Sequence, residues 1–220
     1  MANADYQREV LNQAVYDMLD LCRSQIEKAK EAFITHDEDL AEEVIHKETR
    51  VNAMDLKIAR DCEKFLALYN PVAVDLRFIM AALKINYDLE RIADHAYNIS
   101  KYVVEEDKKI APKLLKAIQF DTMSETLDAM LNHITIAYEE KDVKAARKVF
   151  KKDKVLDKIN RKSFVVLEEE IKKDANIIQH ALILFSVVKK MERVGDLIKN
   201  IAEEIIFYSD AEVLKHKKSK

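Results

Sequence analysis

A chain of 220 residues with a single glycine and two prolines has very few places at which to reverse tightly. Glycine is the default residue for positive φ, and glycine and proline between them carry most tight turns. A sheet protein needs many such turns, so this sequence points instead to a few long helices joined by short corners. The rest of the composition agrees: 49% of residues are hydrophobic and 35% charged, the profile of extended amphipathic helices.

Breaks fall near Thr35-His36-Asp37, Tyr69-Asn70-Pro71, Ala111-Pro112, Glu140-Lys141-Asp142 and Asp174-Ala175-Asn176. They leave six segments of roughly 25 to 35 residues with helical periodicity, each about 40 to 50 Å long as a helix. Short corners between long helices make sequential neighbours antiparallel. Ile85, Leu89, Ile92, Ala96, Ile99 and Val103 advance by alternating steps of four and three, and Val187, Met191, Val194, Ile198, Ile201 and Ile205 repeat that register 102 residues later. Glu90, Arg91, Asp94 and Asn98 then coincide with Glu192, Arg193, Asp196 and Asn200. The second and fifth segments repeat at an offset of 105, which places Asp37, Ala41, Val44, Lys47 and Glu48 on Asp142, Ala146, Val149, Lys152 and Asp153. The sequence therefore predicts an all-α fold, a tandem duplication of a three-helix bundle with six long antiparallel helices, divided as 1–110 and 111–220.

The polar matches carry the candidate chemistry. An acid followed by another four positions on puts two carboxylates on one helix face, where they repel unless a cation lies between them. If the second and third helices run antiparallel about Pro71, Glu48 is level with Asp94 and Asn52 with Glu90. In the second repeat Asp153 is level with Asp196 and Asp157 with Glu192. Asp55, Asn98, Asn160 and Asn200 extend the two groups. An oxygen-only donor set suits Mg²⁺, Ca²⁺, Mn²⁺ or iron better than structural zinc. A pair of solvated charged faces, neutralised by Arg91, Arg193 and lysines, accounts for the same pattern. Gly195, inside a predicted helix, costs about 1 kcal/mol relative to alanine, and its missing side chain leaves room for a ligand, a metal ion or a neighbouring backbone.

Other classes find less support. Cys22 and Cys62 have no paired spacing, which indicates neither zinc nor a disulfide framework. Lys and Arg number 37 against 40 Asp and Glu, so no global bias toward nucleic acid exists. Only the Lys215-His216-Lys217-Lys218-Ser219-Lys220 stretch is locally basic. The first residues lack the charged and apolar regions of a signal, and the longest stretch without formal charge, Ala175 to Val188, is too short to cross about 30 Å of hydrocarbon. A di-iron bundle enzyme needs two Glu-x-x-His motifs; Glu43 to His46 supplies one, and His95 has no histidine partner in the other repeat. No glycine-rich phosphate loop is present. Leu76, Ile79, Met80, Leu83 and Tyr87 form an apolar run beside Glu90 and Asp94, read as core packing or as a partner surface.

At Asn70-Pro71-Val72-Ala73-Val74-Asp75-Leu76-Arg77, at Leu89-Glu90-Arg91-Ile92-Ala93-Asp94-His95-Ala96-Tyr97-Asn98-Ile99 and at Met191-Glu192-Arg193-Val194-Gly195-Asp196 with Asn200-Ile201-Ala202-Glu203-Glu204, the sequence resembles the PhoU family of phosphate-uptake and phosphate-signalling regulators. The resemblance runs along essentially the whole chain. It implies a cytoplasmic, non-enzymatic homodimer that restrains the phosphate-starvation response and modulates high-affinity phosphate import by contacting the ATPase subunit of a phosphate ABC transporter and a phosphate-sensing histidine kinase. It also implies metal ions, iron foremost with Mn, Mg, Ca or Zn as others, on acidic motif pairs carried here onto Glu48, Glu90, Asp94, Asp153, Asp157, Glu192 and Asp196; Asn52 and Asp55 join the candidate ligands from the sequence pattern alone. Asn52, standing where the second repeat has Asp157, is a neutral and weaker donor that leaves the first site to lean on Asp55.

Overall fold

The computed structural model describes residues 2–106 and 109–211; the basic stretch Lys215 to Lys220 lies outside the described residues. Helix α1 spans Ala2–Thr35, α2 Glu38–Tyr69, α3 Ala73–Glu105, α4 Pro112–Ala117, α5 Phe120–Glu140, α6 Val143–Lys173 and α7 Ile178–Asp210, with a short 3₁₀ turn at Ala175–Ile177 before α7. Helices α1, α2 and α3 pack on one another, as do α5, α6 and α7.

The corners follow from side-chain chemistry. Asp37 caps α2 by accepting the Leu40 N–H at 2.9 Å, and its repeat mate Asp142 caps α6 by accepting from Lys144 and Ala145. Each cap satisfies amide donors that the first helical turn leaves free. Positive φ is met without glycine, against expectation: His36, Asn70, Ala73, Gln119, Lys141 and Ala211 all adopt it. A non-glycine residue there costs roughly 1–2 kcal/mol. Closing hydrogen bonds offset the cost, as at α1, where the His36 and Asp37 amides both donate to the Ala32 carbonyl at 2.7 and 3.1 Å.

The fourth segment is not one long helix. It breaks at Ile118-Gln119, where Ile118 donates to Leu114 O, Gln119 donates to Lys116 O, and Gln119 turns left-handed. The break places Phe120, fully buried, 5.7 Å from the Phe33 ring of α1. Proline at the first position of α4 needs no amide donor there.

One continuous hydrophobic core runs through both bundles. They meet along α3 and α7 and along α1 and α5. Lys30, buried on α1, bonds to Asp128 and to the Ser124 carbonyl of α5. Helices α3 and α7 run antiparallel: Lys84 meets both carboxylate oxygens of buried Glu204 at 3.1 Å, and Tyr102 meets Ser186 at 2.8 Å. At the 102-residue offset Lys84 corresponds to Ser186 and Glu204 to Tyr102, so these two bonds are repeat images of one another. Within the apolar run, only Ile79 is fully buried; Leu83 is half-buried, while Leu76, Met80 and Tyr87 are exposed, as are Ile178 and Leu182 at the equivalents of Leu76 and Met80. Both cysteines are buried free thiols.

Candidate functional site

Antiparallel pairing of α2 with α3, and of α6 with α7, brings the predicted acids together in two groups. In the first, burial pushes the Glu48 carboxyl above its usual range, with Asp94 and Glu90 adding repulsion and a hydrogen bond from Asn52 working against them. Burial likewise raises Glu90, with Asp55 and Asp94 adding repulsion and the Arg91 guanidinium pulling the other way. Asp55 is raised by burial although it accepts a 2.6 Å hydrogen bond from Asn86 of α3. Asn98 folds back on Asp94, donating to its carbonyl at 2.7 Å. Glu48 and Glu90 are half-buried, Asn52 and Asp94 exposed. One oxygen of Glu48, Oε2, is buried with no hydrogen-bond partner.

The second group uses the same positions with different partners. Asp153 is buried, 5% exposed, where its repeat equivalent Glu48 is half-buried. Burial raises its carboxyl despite the adjacent Lys199 ammonium, and Oδ1 is left without a partner. Lys199 Nζ lies 2.7 Å from Asp153 Oδ2 and 2.8 Å from Asp196 Oδ1. Burial opposes the Lys199 charge, but these two carboxylates outweigh it and hold the ammonium well above its ordinary range. Glu192 is raised by burial first and by Asp196 next, with Arg193 and a hydrogen bond from Asn160 pulling the other way. Arg193 Nη1 reaches Asp196 Oδ2 at 3.3 Å. Asp157 and Asn200 are half-buried beside these residues on the same helices.

Among the described residues, no group of three or more His, Cys, Asp and Glu side chains is gathered tightly enough to hold a metal ion. His46 is exposed, and half-buried His95 sits with Lys190 and Arg193 of α7 around it, which lower its basicity after burial itself. Gly195 makes room for the Leu156 side chain, where the sequence left open a ligand, a metal ion or a neighbouring backbone. A Cβ there would come within 2.4 Å of Leu156 Cδ1 from α6. The repeat equivalents of Gly195 and Leu156 are Ala93 and Val51, all four buried. In each repeat the smaller residue lies on the last helix and the larger at the matching position of the helix before it.

Two residues of these groups escape a reading based on matched acids. Lys199 corresponds to Tyr97, so a search for identities passes over it; the signal was its spacing of three from Asp196. Asn86 corresponds to Val188 and gives no repeat signal at all.

The chain's likeness to known proteins matches this architecture. The PhoU domain matches residues 15–103 and again 120–205. The "Phosphate-specific transport system accessory protein PhoU homolog" of Aquifex aeolicus is 34% identical over 94% of this chain and 93% of its own length. The first such homologue of Thermotoga maritima is 30% identical over 96% of this chain and 91% of its own length. The crystal structure of PhoU from Pseudomonas aeruginosa superposes with a TM-score of 0.88 at 26% identity, covering 94% of this chain and 99% of that one. Two copies of the domain, their shared fold and end-to-end similarity place the chain in the PhoU family.

Proposed function

We propose that this chain is a non-enzymatic, cytoplasmic regulator of phosphate homeostasis. It acts as a homodimer that restrains the phosphate-starvation response by contacting the ATPase subunit of a phosphate ABC transporter and a phosphate-sensing histidine kinase. The carrying observation is the end-to-end likeness to phosphate-specific transport accessory proteins through both repeats. Among the described residues, no helix is long and apolar enough to cross a membrane, which suits a protein that reaches a transporter from the aqueous side.

The same proposal includes metal binding on the acidic groups. Glu48, Asp55, Glu90 and Asp94, with Asn52 as a neutral donor, would hold an ion in the first repeat; Asp153, Asp157, Glu192 and Asp196 would do so in the second. The donor set suits a hard cation. Unpartnered Glu48 Oε2 and the raised carboxyls of Glu48 and Glu90 are what an uncompensated oxygen cluster produces. A bound ion would supply positive charge between α2 and α3. A metal-free scaffold with the same partners is the second reading, favoured by the lack of a ready three-ligand group among the described residues.

In a bacterium deleted for its own PhoU gene, this chain should restore repression of a phosphate-starvation reporter in phosphate-rich medium. Unchanged derepression at normal protein level refutes the regulatory reading. Elemental analysis of chain purified without chelator, beside Glu90→Ala with Asp94→Ala, should show metal in the parent and less in the variant. Equal, negligible metal in both supports the scaffold.

A further inference from the structure

The two acidic groups carry equal numbers of carboxylates and unequal compensation. Glu48, Asp55, Glu90 and Asp94 stand in the first; Asp153, Asp157, Glu192 and Asp196 in the second. In the second, the Lys199 ammonium bridges α6 to α7 at 2.7 Å from Asp153 and 2.8 Å from Asp196. Those two acids are the repeat equivalents of Glu48 and Asp94. The first repeat has Tyr97 at the equivalent of Lys199, and a neutral phenol supplies no charge there. Each arginine offsets the glutamate beside it, Arg91 at Glu90 and Arg193 at Glu192, but Arg193 also approaches Asp196 at 3.3 Å, whereas Arg91 lies over the Tyr87 ring at 5.6 Å from its centroid.

We propose that Lys199 is a tethered counter-cation that fills the second acidic cluster, so that metal ions enter the first repeat in preference to the second. The inference rests on the metal-binding reading above and specifies which half of the molecule performs it. A cation entering the second cluster must displace an ammonium already held by two charge-assisted hydrogen bonds. Among the described residues no lysine bridges the first cluster in this way: Asp55 accepts from the neutral Asn86 amide at 2.6 Å, and Glu48 Oε2 is buried and unbonded. Asp153 Oδ1 is also buried and unbonded; with its bridging cation removed, the second cluster offers the same kind of donor as the first.

Mn²⁺ is the appropriate probe, because it takes oxygen donors and its binding is read by electron paramagnetic resonance and calorimetry on the full chain. Glu90→Ala with Asp94→Ala isolates the second cluster, and Glu192→Ala with Asp196→Ala isolates the first. The first cluster alone should bind Mn²⁺ about tenfold or more tightly than the second alone, the scale of one close charge interaction. Adding Lys199→Met to the isolated second cluster should recover about tenfold, and adding Tyr97→Lys to the isolated first cluster should lose about tenfold. Equal affinity of the two isolated clusters overturns the proposal, as does an unchanged affinity after either lysine exchange. If Lys199→Met does not fold by circular dichroism, Tyr97→Lys decides the matter. Absence of Mn²⁺ binding in every form, the parent included, refutes the metal reading itself and is distinct from a failure of the asymmetry.

Discussion

Among the described residues, the first acidic cluster holds no lysine against its four carboxylates, whereas the second encloses Lys199 between Asp153 and Asp196. Elsewhere the two halves differ in ways that conserve a sum. Asn52 faces the first cluster where Asp157 stands in the second, and Asp55 stands where Asn160 does, so each half keeps one amide and one acid with their places exchanged. Ala93 and Val51 in one half become Gly195 and Leu156 in the other. On the seam between α3 and α7, the Lys84–Glu204 ion pair is the repeat image of the Ser186–Tyr102 hydrogen bond. Charge, volume and hydrogen bonding are each conserved locally, in pairs, because a close-packed interior couples a residue to the one it touches. The exchange of Tyr97 for Lys199 is the exception, since nothing in the first cluster replaces the missing charge.

That exception has the largest expected energetic consequence. Lys199→Met leaves Asp153 buried beside Asp196 with the bridging cation gone, and removing one partner of a buried pair costs about 3 kcal/mol. Urea unfolding of the variant should show this as a lower midpoint with an unchanged slope. Adding Asp153→Asn should recover a large part of the loss, because it neutralises the stranded carboxylate. Tyr97→Phe, the matching change in the first repeat, should stay within about 0.5 kcal/mol of the parent. A loss of equal size in both repeats would show that the lysine contributes nothing particular to its cluster.

What the sequence made legible divides along the same line. The breaks at Asp37 and Asp142 could be read because the helical periodicity lapses there, whereas their capping hydrogen bonds emerge only in the structure. The pairing of Glu48 with Asp94 could be read because an antiparallel corner fixes which residues stand level. Lys199 could not be found by matching repeats, since its meaning lies in a mismatch with Tyr97. The break at Gln119 has no signature either: glutamine has no preference for positive φ, and the burial of Phe120 against Phe33 sets the chain direction there. Six positive φ angles on residues other than glycine show that a glycine count limits where a chain turns less strictly than propensity suggests.

The packing pair gives a smaller effect of predictable sign. Gly195→Ala gains about 1 kcal/mol of helix propensity and forces Leu156, fully buried, out of its position. Overpacking costs about 1–3 kcal/mol, so the variant should lose about 1 kcal/mol net. Combined with Leu156→Val, which reproduces the Ala93 and Val51 arrangement, it should return to the parent's stability or above it. Chemical denaturation of the two single variants and the double variant tests this coupling; strictly additive losses would mean that the two positions do not share one volume.

The smallest effect has the opposite sign. Glu48 and Glu90 are raised by burial and then by neighbouring acids, so their charged forms cost stability at neutral pH. Glu48→Gln should therefore stabilise the chain, by about 0.5 to 1 kcal/mol for removal of one like-charge repulsion. A folded-state pKa above the unfolded value means that the folded chain holds more protons, and stability falls as pH rises through the raised value. The advantage of Glu48→Gln over the parent should be full at pH 7 and shrink as pH falls through the raised range, vanishing below about 4.3, where the unfolded carboxyl is protonated as well. Asp153→Asn tests the contrast: it removes one of the two carboxylates that hold Lys199, and should destabilise at neutral pH where Glu48→Gln stabilises. Opposite signs at equivalent positions would locate the difference between the repeats in one lysine, and equal signs would remove it.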